Sequence, residues 1–316
     1  MHRSIDMEGH KQGMDYQEAI SQLKNLDLRT YPHEEVKNLI RMFGKFGVIQ
    51  MILHPGKSII RARPMNPGDK FNTRASLSYK PAEYNKSYQR ASTPLQTMFY
   101  GSDIPIDLPR EERVNARIVS ALETCDLLRD HVCEGEQLVT FSKWVVKDDI
   151  PLIAICYHKD FVNKSLHTKD LYDAYLRDSH GLDADTRRRS VAVTEYLAGE
   201  FAKKEISHDY EYLVSAVFAE TCLRNGMAGV YYPSVRADAK GYNVAIAPEF
   251  VDKRLRLVAA GECTIYKRGD YTIGDNDTLC MVEDDSRPFE FIPVPRQYHM
   301  GRENVMKEFD RRMSER

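Results

Sequence analysis

Apolar positions recur at helical spacing over residues 16–26 and again over 33–46, where Val36, Ile40 and Phe43 fall on one stripe. Residues 1–14 show no such period and read as a flexible lead to this helical extension. Gly44 and Gly47 loosen its end, residues 48–53 are apolar, and His54-Pro55-Gly56 makes a turn. The pattern then switches to period two. In "KSIIRAR" (57–63), Ile60 and Ala62 take one face and Arg61 and Arg63 the other, a strand with two cations side by side. Residues 64–97 are rich in Pro, Asn, Ser, Thr and Tyr and too long for a plain connection, so the stretch is either functional or mobile. Residues 98–100 close it as a buried strand.

The best helical pattern opens at Pro109 and Arg110-Glu111-Glu112 and runs to about Arg129, with Val114, Ile118, Ala121, Leu122 and Cys125 as its apolar stripe. Glu123 belongs to a second stripe with Ala116, Val119 and Leu127. It is either a half-exposed acid at the edge of a broad buried face or a carboxylate aimed into a site, because Glu is seldom buried without a partner. Residues 143–157 read as two strands around Asp148-Asp149, and 160–205 as a polar, helix-leaning insertion with a solvated Arg187-Arg188-Arg189 face. A second strong helix spans 208–224, with Tyr212, Ala216, Ala219 and Leu223 as its stripe and Asn225-Gly226 as its stop. After it, a strand at 229–232 breaks at Pro233-Ser234 and another begins near Asn243, an arrangement that mounts a site loop. Residues 255–275 continue with strand patterning, and 284–316 are charged and helix-leaning.

The 316 residues suffice for one large domain with additions or two small ones. No apolar run approaches 18 residues, so neither a membrane span nor a secretory core is expected and the chain reads as cytoplasmic. Six cysteines without C-x-x-C spacing read as reduced thiols rather than a disulfide framework or a zinc site. Dispersed histidines likewise point away from metal chemistry. A net charge of −2 provides no global field for nucleic acid, so any anion site has to be local. Phosphate-loop, G-x-G-x-x-G, H-E-x-x-H and G-x-S-x-G motifs are absent.

Three segments, "IIRARP" (59–64), "YQRASTPLQTMFYGS" leading to "ALETC" (88–125) and "GVYYPSVRADAKGYNVAIAPE" (229–249), resemble in order the motifs of the RES-domain family, named for its Arg, Glu and Ser. Arg61 matches the first-strand Arg, Arg90 the loop Arg, Tyr100 the strand Tyr, Glu123 the helical Glu, Ser234 the Ser and Asn243 the trailing Asn. Two departures stand out: "QRASTP" replaces the family's Gly-Arg-Trp-Asn-Pro, and the gap from Tyr to Glu is longer.

The resemblance implies an α+β fold with an ADP-ribosyltransferase-like twisted sheet core flanked by helices, and NAD+ as substrate without a metal. Residues 1–55 would be the lead and helical extension, 56–262 the catalytic domain with its 160–205 insertion, and 263–316 a C-terminal extension. It implies cleavage of the nicotinamide–ribose bond by a toxin-like glycohydrolase or phosphorylase; an ADP-ribosyltransferase and a non-catalytic nucleotide binder are the alternatives. Arg61, Glu123 and Ser234 would be catalytic. Arg61 and Arg90 would clamp the pyrophosphate, Tyr100 would pack on the nicotinamide end, and Glu123 would hold ribose hydroxyls and oppose the developing cation. Ser234, Arg236 and Asn243 would complete the cofactor contacts. Taken singly, Arg90 reads as a solvated cation, Tyr100 as a core aromatic, Ser234 as a turn serine and Asn243 as a hairpin cap. An NAD+ consumer also calls for a restraining antitoxin, and the extension, insertion and tail would either limit access or build a homo-oligomer.

Overall fold

In a computed structural model, the structure describes residues 2–7, 15–94, 96–103, 115–130, 132–155, 162 and 164–315. The N-terminal part comprises β1 (His2–Asp6), α1 (Tyr16–Asn25), α2 (His33–Arg41), β2 (Lys45–Leu53), β3 (Ser58–Pro64), α3 (Arg74–Leu77) and β4 (Phe99–Asp103). The middle adds α4 (Ala116–Thr124), α5 (Asp126–Arg129), β5 (Gly135–Val146), β6 (Ile150–Ala154), α6 (Leu166–Ser179) and α7 (Ala184–Phe201). The rest is α8 (Leu213–Arg224), β7 (Gly229–Pro233), β8 (Tyr242–Ile246), α9 (Pro248–Arg254), β9 (Leu255–Arg268), β10 (Tyr271–Met281), β11 (Ile292–Pro293) and α10 (Arg302–Ser314).

The strands join in one mixed sheet, ordered β1-β2-β6-β7-β8-β4-β3-β5-β9-β10-β11, and the fold is α+β. Among the described strands only β6 and β7 run parallel. Chain connectivity forces this sheet to bend. β5 and β6 are joined by three residues, which reach about 14 Å at most. In the sheet they stand five places apart, about 24 Å if it were flat. The same conflict holds for β2 and β3. It is resolved by folding one half of the sheet over the other, and a shared core records the result: Ile49, Leu53 and Leu152 from one half pack with Ile59, Trp144 and Leu257 from the other. Helices α1, α2, α7 and α8 cover the outer face of the first half, where Phe43, Val193, Val217 and Val230 share a core. Helix α8 is buried from Leu213 through Cys222, so its sequence shows no polar face. Helix α4 packs on the second half through Ala121, beside Val139 and Cys263.

The sheet is thinnest between β3 and β4, which share the single rung Ile60–Ser102, whereas β3 and β5 are in register over seven. Beyond that rung the two halves part, and α4 lies over the opening, tied to β3 by the Ser120 hydroxyl, which donates to the Ile60 carbonyl at 2.9 Å.

Several sequence expectations change in detail. The second N-terminal helix stops at Arg41 because Gly44 turns left-handed (φ 59°) and β2 starts at Lys45. Residues 2–6, read as part of the lead, form β1 against β2 with Ile5 buried; a five-residue edge strand is too short to declare a period. Residues 8–14, and residues 104–114 with Pro109 and Val114, lie outside the described residues. The helix expected to reach Arg129 breaks at Cys125, which is extended (φ −93°, ψ 113°), before α5. Both of its stripes contribute buried positions: Ala121 and Cys125 of the first and Ala116 and Val119 of the second are buried, while Ile118 of the first is 53% exposed. The boundary expected between 262 and 263 falls inside β9, and the N-terminal β2 pairs with β6. The 160–205 insertion is α6 and α7. The long polar stretch is ordered by side-chain bonds: Thr73 and Ser76 cap α3 reciprocally, and the Asn85 amide donates to the Thr93 carbonyl at 2.6 Å. Among the described residues, no helix is long and apolar enough to cross a membrane.

Candidate functional site

Where the sheet halves part, a cleft of about 360 Å³ opens between β3, β4 and β8, roofed by α4. Among the described residues, four arginines (Arg61, Arg90, Arg129, Arg236) and one carboxylate, Glu123, line it. Tyr100, Tyr232 and Asn243 complete the expected and unexpected walls.

Arg61 leaves β3 immediately after the last rung. Its Nη1 donates to the Tyr100 carbonyl at 2.7 Å, a backbone acceptor left over where the ladder ends, and its guanidinium lies 5.4 Å from the Phe99 ring centre. The Nε is buried and has no partner, and no carboxylate among the described residues lies within ion-pair distance. Burial first, and the neighbouring Arg63 charge second, pull this guanidinium down to about 10. A partly buried guanidinium with a buried, unused Nε–H and no counter-ion among the described residues has the chemistry to take an anion.

Glu123 is presented by α4, whose first turn is capped by Asn115 accepting from the Arg117 amide. Two donors converge on one of its oxygens. The Ser234 hydroxyl donates to Oε1 at 2.6 Å and the Asn243 Nδ2 donates to the same Oε1 at 2.8 Å. Ser234 is fully buried and in turn accepts from the Ala237 amide at 3.1 Å. Asn243 is held from behind by the Ser102 hydroxyl, which donates to its Oδ1 at 3.1 Å. Among the described residues no donor reaches Oε2. The loop carrying Ser234 presses against α4 so closely that a Cβ on Gly241 would sit 2.5 Å from Val119 Cγ2. Within it Asp238 and Ala239 both take positive φ (50° and 62°), and Lys164 pairs with Asp238.

The segment around Arg90 is braced rather than free. Arg90 Nη1 donates to the Phe201 carbonyl at 2.5 Å and Nη2 to the Lys203 carbonyl at 3.0 Å, at the end of α7, with Tyr212 5.2 Å beneath the guanidinium. These carbonyls carry the negative end of the helix dipole. Tyr100 closes the loop from the other side: its hydroxyl accepts from the Ala91 amide at 3.0 Å and bonds the Ser92 hydroxyl at 2.8 Å. Burial pushes Tyr100 up to about 12. Arg236 is exposed at the rim, with no hydrogen-bond or ion-pair partner among the described residues.

All seven expected positions thus meet at one place, with two changes of part. Arg90 lines the cleft but commits both Nη groups to carbonyls, so Arg236 is the freer second cation. Ser234 bonds the acid instead of facing the cleft, so it positions Glu123. Sequence reasoning missed Ser102 and Tyr232. Both were within reach of strand alternation, since Ser102 follows Tyr100 by two positions and Tyr232 precedes Ser234 by two. Tyr232 is buried, and burial holds its phenol well above the usual range.

Away from the cleft, ligand atoms of Asp275, Asp277 and His299 lie within 4.8 Å of one another. Asp275 already accepts from the Met300 and Gly301 amides at 2.8 and 2.7 Å and so serves as a tertiary cap for α10. A scan of known protein-family models and a search of curated proteins both returned no match to the chain.

Proposed function

We propose that the chain binds NAD+ in this cleft and cleaves its nicotinamide–ribose bond, on a core of the ADP-ribosyltransferase kind as the RES resemblance implies. One observation carries the reading: an uncompensated buried guanidinium and a carboxylate with one free oxygen share the same opening in the sheet. Phosphate oxygens supply what Arg61 lacks, with Arg236 as the second, rim contact. Glu123 Oε2 accepts from ribose hydroxyls, and its charge opposes the cation that grows as neutral nicotinamide leaves. Tyr100 and Tyr232 supply an apolar wall that excludes water from the reacting bond. Among the described residues no other carboxylate and no histidine or lysine lines the cleft, and Glu123 is the group there suited to take a proton surrendered by the acceptor. A partner protein that covers the opening would restrain the activity.

Incubation with NAD+ tests the proposal. Nicotinamide release is expected, and Glu123→Gln is expected to reduce it about 10²–10³-fold with folding intact. Free ADP-ribose would identify water as the acceptor, its 1-phosphate would identify phosphate, and label on a macromolecule would identify transfer. Saturable NAD+ binding without nicotinamide release would overturn cleavage and leave a binding protein.

A further inference from the structure

Glu123 is useful only if the correct oxygen is free, and the chain that decides this begins one residue beyond the expected set. The Asn243 side chain is nearly symmetric in shape, with N and O at opposite ends. With Nδ2 toward Glu123 it donates; turned over, Oδ1 would oppose Oε1 across 2.8 Å, two acceptors face to face. The Ser102 hydroxyl, 2% exposed, sits on the other side of the amide and donates to Oδ1. Ser102 also forms the lone rung that joins β4 to β3, so its place is fixed by backbone pairing on both flanks, to Ile60 and to Asn243 itself. From this geometry we infer that Ser102 is a positioning residue: the acceptor-only Glu123 selects the nitrogen end of the Asn243 amide, and Ser102 braces the other end so that this nitrogen stays on Oε1, leaving Oε2 as the oxygen presented to the ligand. The inference rests on the reading of Glu123 as the acting carboxylate and adds a specific device to it. Bonds in such a chain polarise one another, so loss of the outer one weakens the inner one. Without Ser102 the amide swings and the carboxylate loses a donor to its Oε1.

Two measurements test this. In the resting protein, the Asn243 side-chain NH2 signals, assigned by their loss in Asn243→Leu, are expected to exchange slowly with water. Ser102→Ala should speed that exchange at least tenfold, while Ser102→Thr, which keeps the hydroxyl, should restore it. In nicotinamide release, Ser102→Ala should reduce kcat about five- to tenfold at unchanged KM, again with recovery in Ser102→Thr. Unchanged NH2 exchange in Ser102→Ala would overturn the inference even if nicotinamide release continued. Altered exchange in a protein that releases no nicotinamide would uphold the placement of the amide while removing the catalytic reading.

Discussion

Arg61 shows what an unpaired cation does to the fold that carries it. Its guanidinium is favoured less by its surroundings than by water, which is the meaning of a value drawn down to about 10. For a base the sign follows directly. With the folded value below the unfolded one, the charged form opposes folding at every pH under about 10, and the opposition fades only above it. Arg61→Gln is therefore expected to raise the thermal stability of the ligand-free protein, by about 1–2 kcal/mol, and to abolish the stabilisation that inorganic pyrophosphate gives the parent chain. Melting curves with and without pyrophosphate check both halves, and a destabilised Arg61→Gln with no pyrophosphate effect in the parent would make Arg61 purely structural. At this scale the sequence was informative about residue type: a planar cation, an acid and small hydroxyls were all nominated. It was silent on which oxygen each hydroxyl would meet, because that depends on neighbours about 110 to 140 positions away, as in Ser234 with Glu123 and Ser102 with Asn243.

Helix α4 is the element on which the site turns. Both of its stripes look apolar in sequence, and both are used: Ala121 and Cys125 pack on the second half of the sheet, while Val119, beside Glu123 on the other stripe, meets the 234–241 loop. That second contact depends on Gly241 having no side chain. Gly241→Ala places a methyl 2.5 Å from Val119 Cγ2 and should cost about 1–3 kcal/mol by overpacking, while tilting Glu123 out of reach of Ser234 and lowering nicotinamide release. Adding Val119→Ala removes the obstructing methyls, so the double variant should be less destabilised than the sum of the two single ones. Urea midpoints decide this, and strict additivity would refute the contact. By contrast Ile118→Gln, on the stripe that sequence favoured, should change stability by no more than about 0.5 kcal/mol because the residue already faces solvent.

The molecule as a whole buries phenols in quantity. Burial raises Tyr100 to about 12 and holds Tyr196, Tyr231 and Tyr232 above the ordinary range. In the unfolded chain each ionises near 10, so above that pH the unfolded state releases protons that the folded state retains. Stability should thus fall as pH rises from about 10 to 12, by up to about 1.4 kcal/mol per pH unit for each such tyrosine. Urea midpoints against pH would show the slope, and tyrosinate absorbance at each pH would show ionisation coinciding with unfolding. A flat profile to pH 12 would mean that these phenols reach water in the native state.

Local periodicity and turn chemistry were sufficient to mark most helices, the α7–α8 region, the strand and turn pattern near 229–246, and the residue types suited to an anion and a sugar, because those signals are carried by residues a few positions apart. The order of strands was beyond that reach. Two strands separated by three residues stand five places apart, and only closure of the folded sheet, with Trp144 and Ile59 packing against Leu53 and Leu152, sets them there. The same closure leaves β3 and β4 joined by one rung, and that gap brings Arg61 into one cleft with Glu123. Long-range packing decided the site because its geometry is the residue of a conflict between short connections and a wide sheet, which no local stretch of sequence contains.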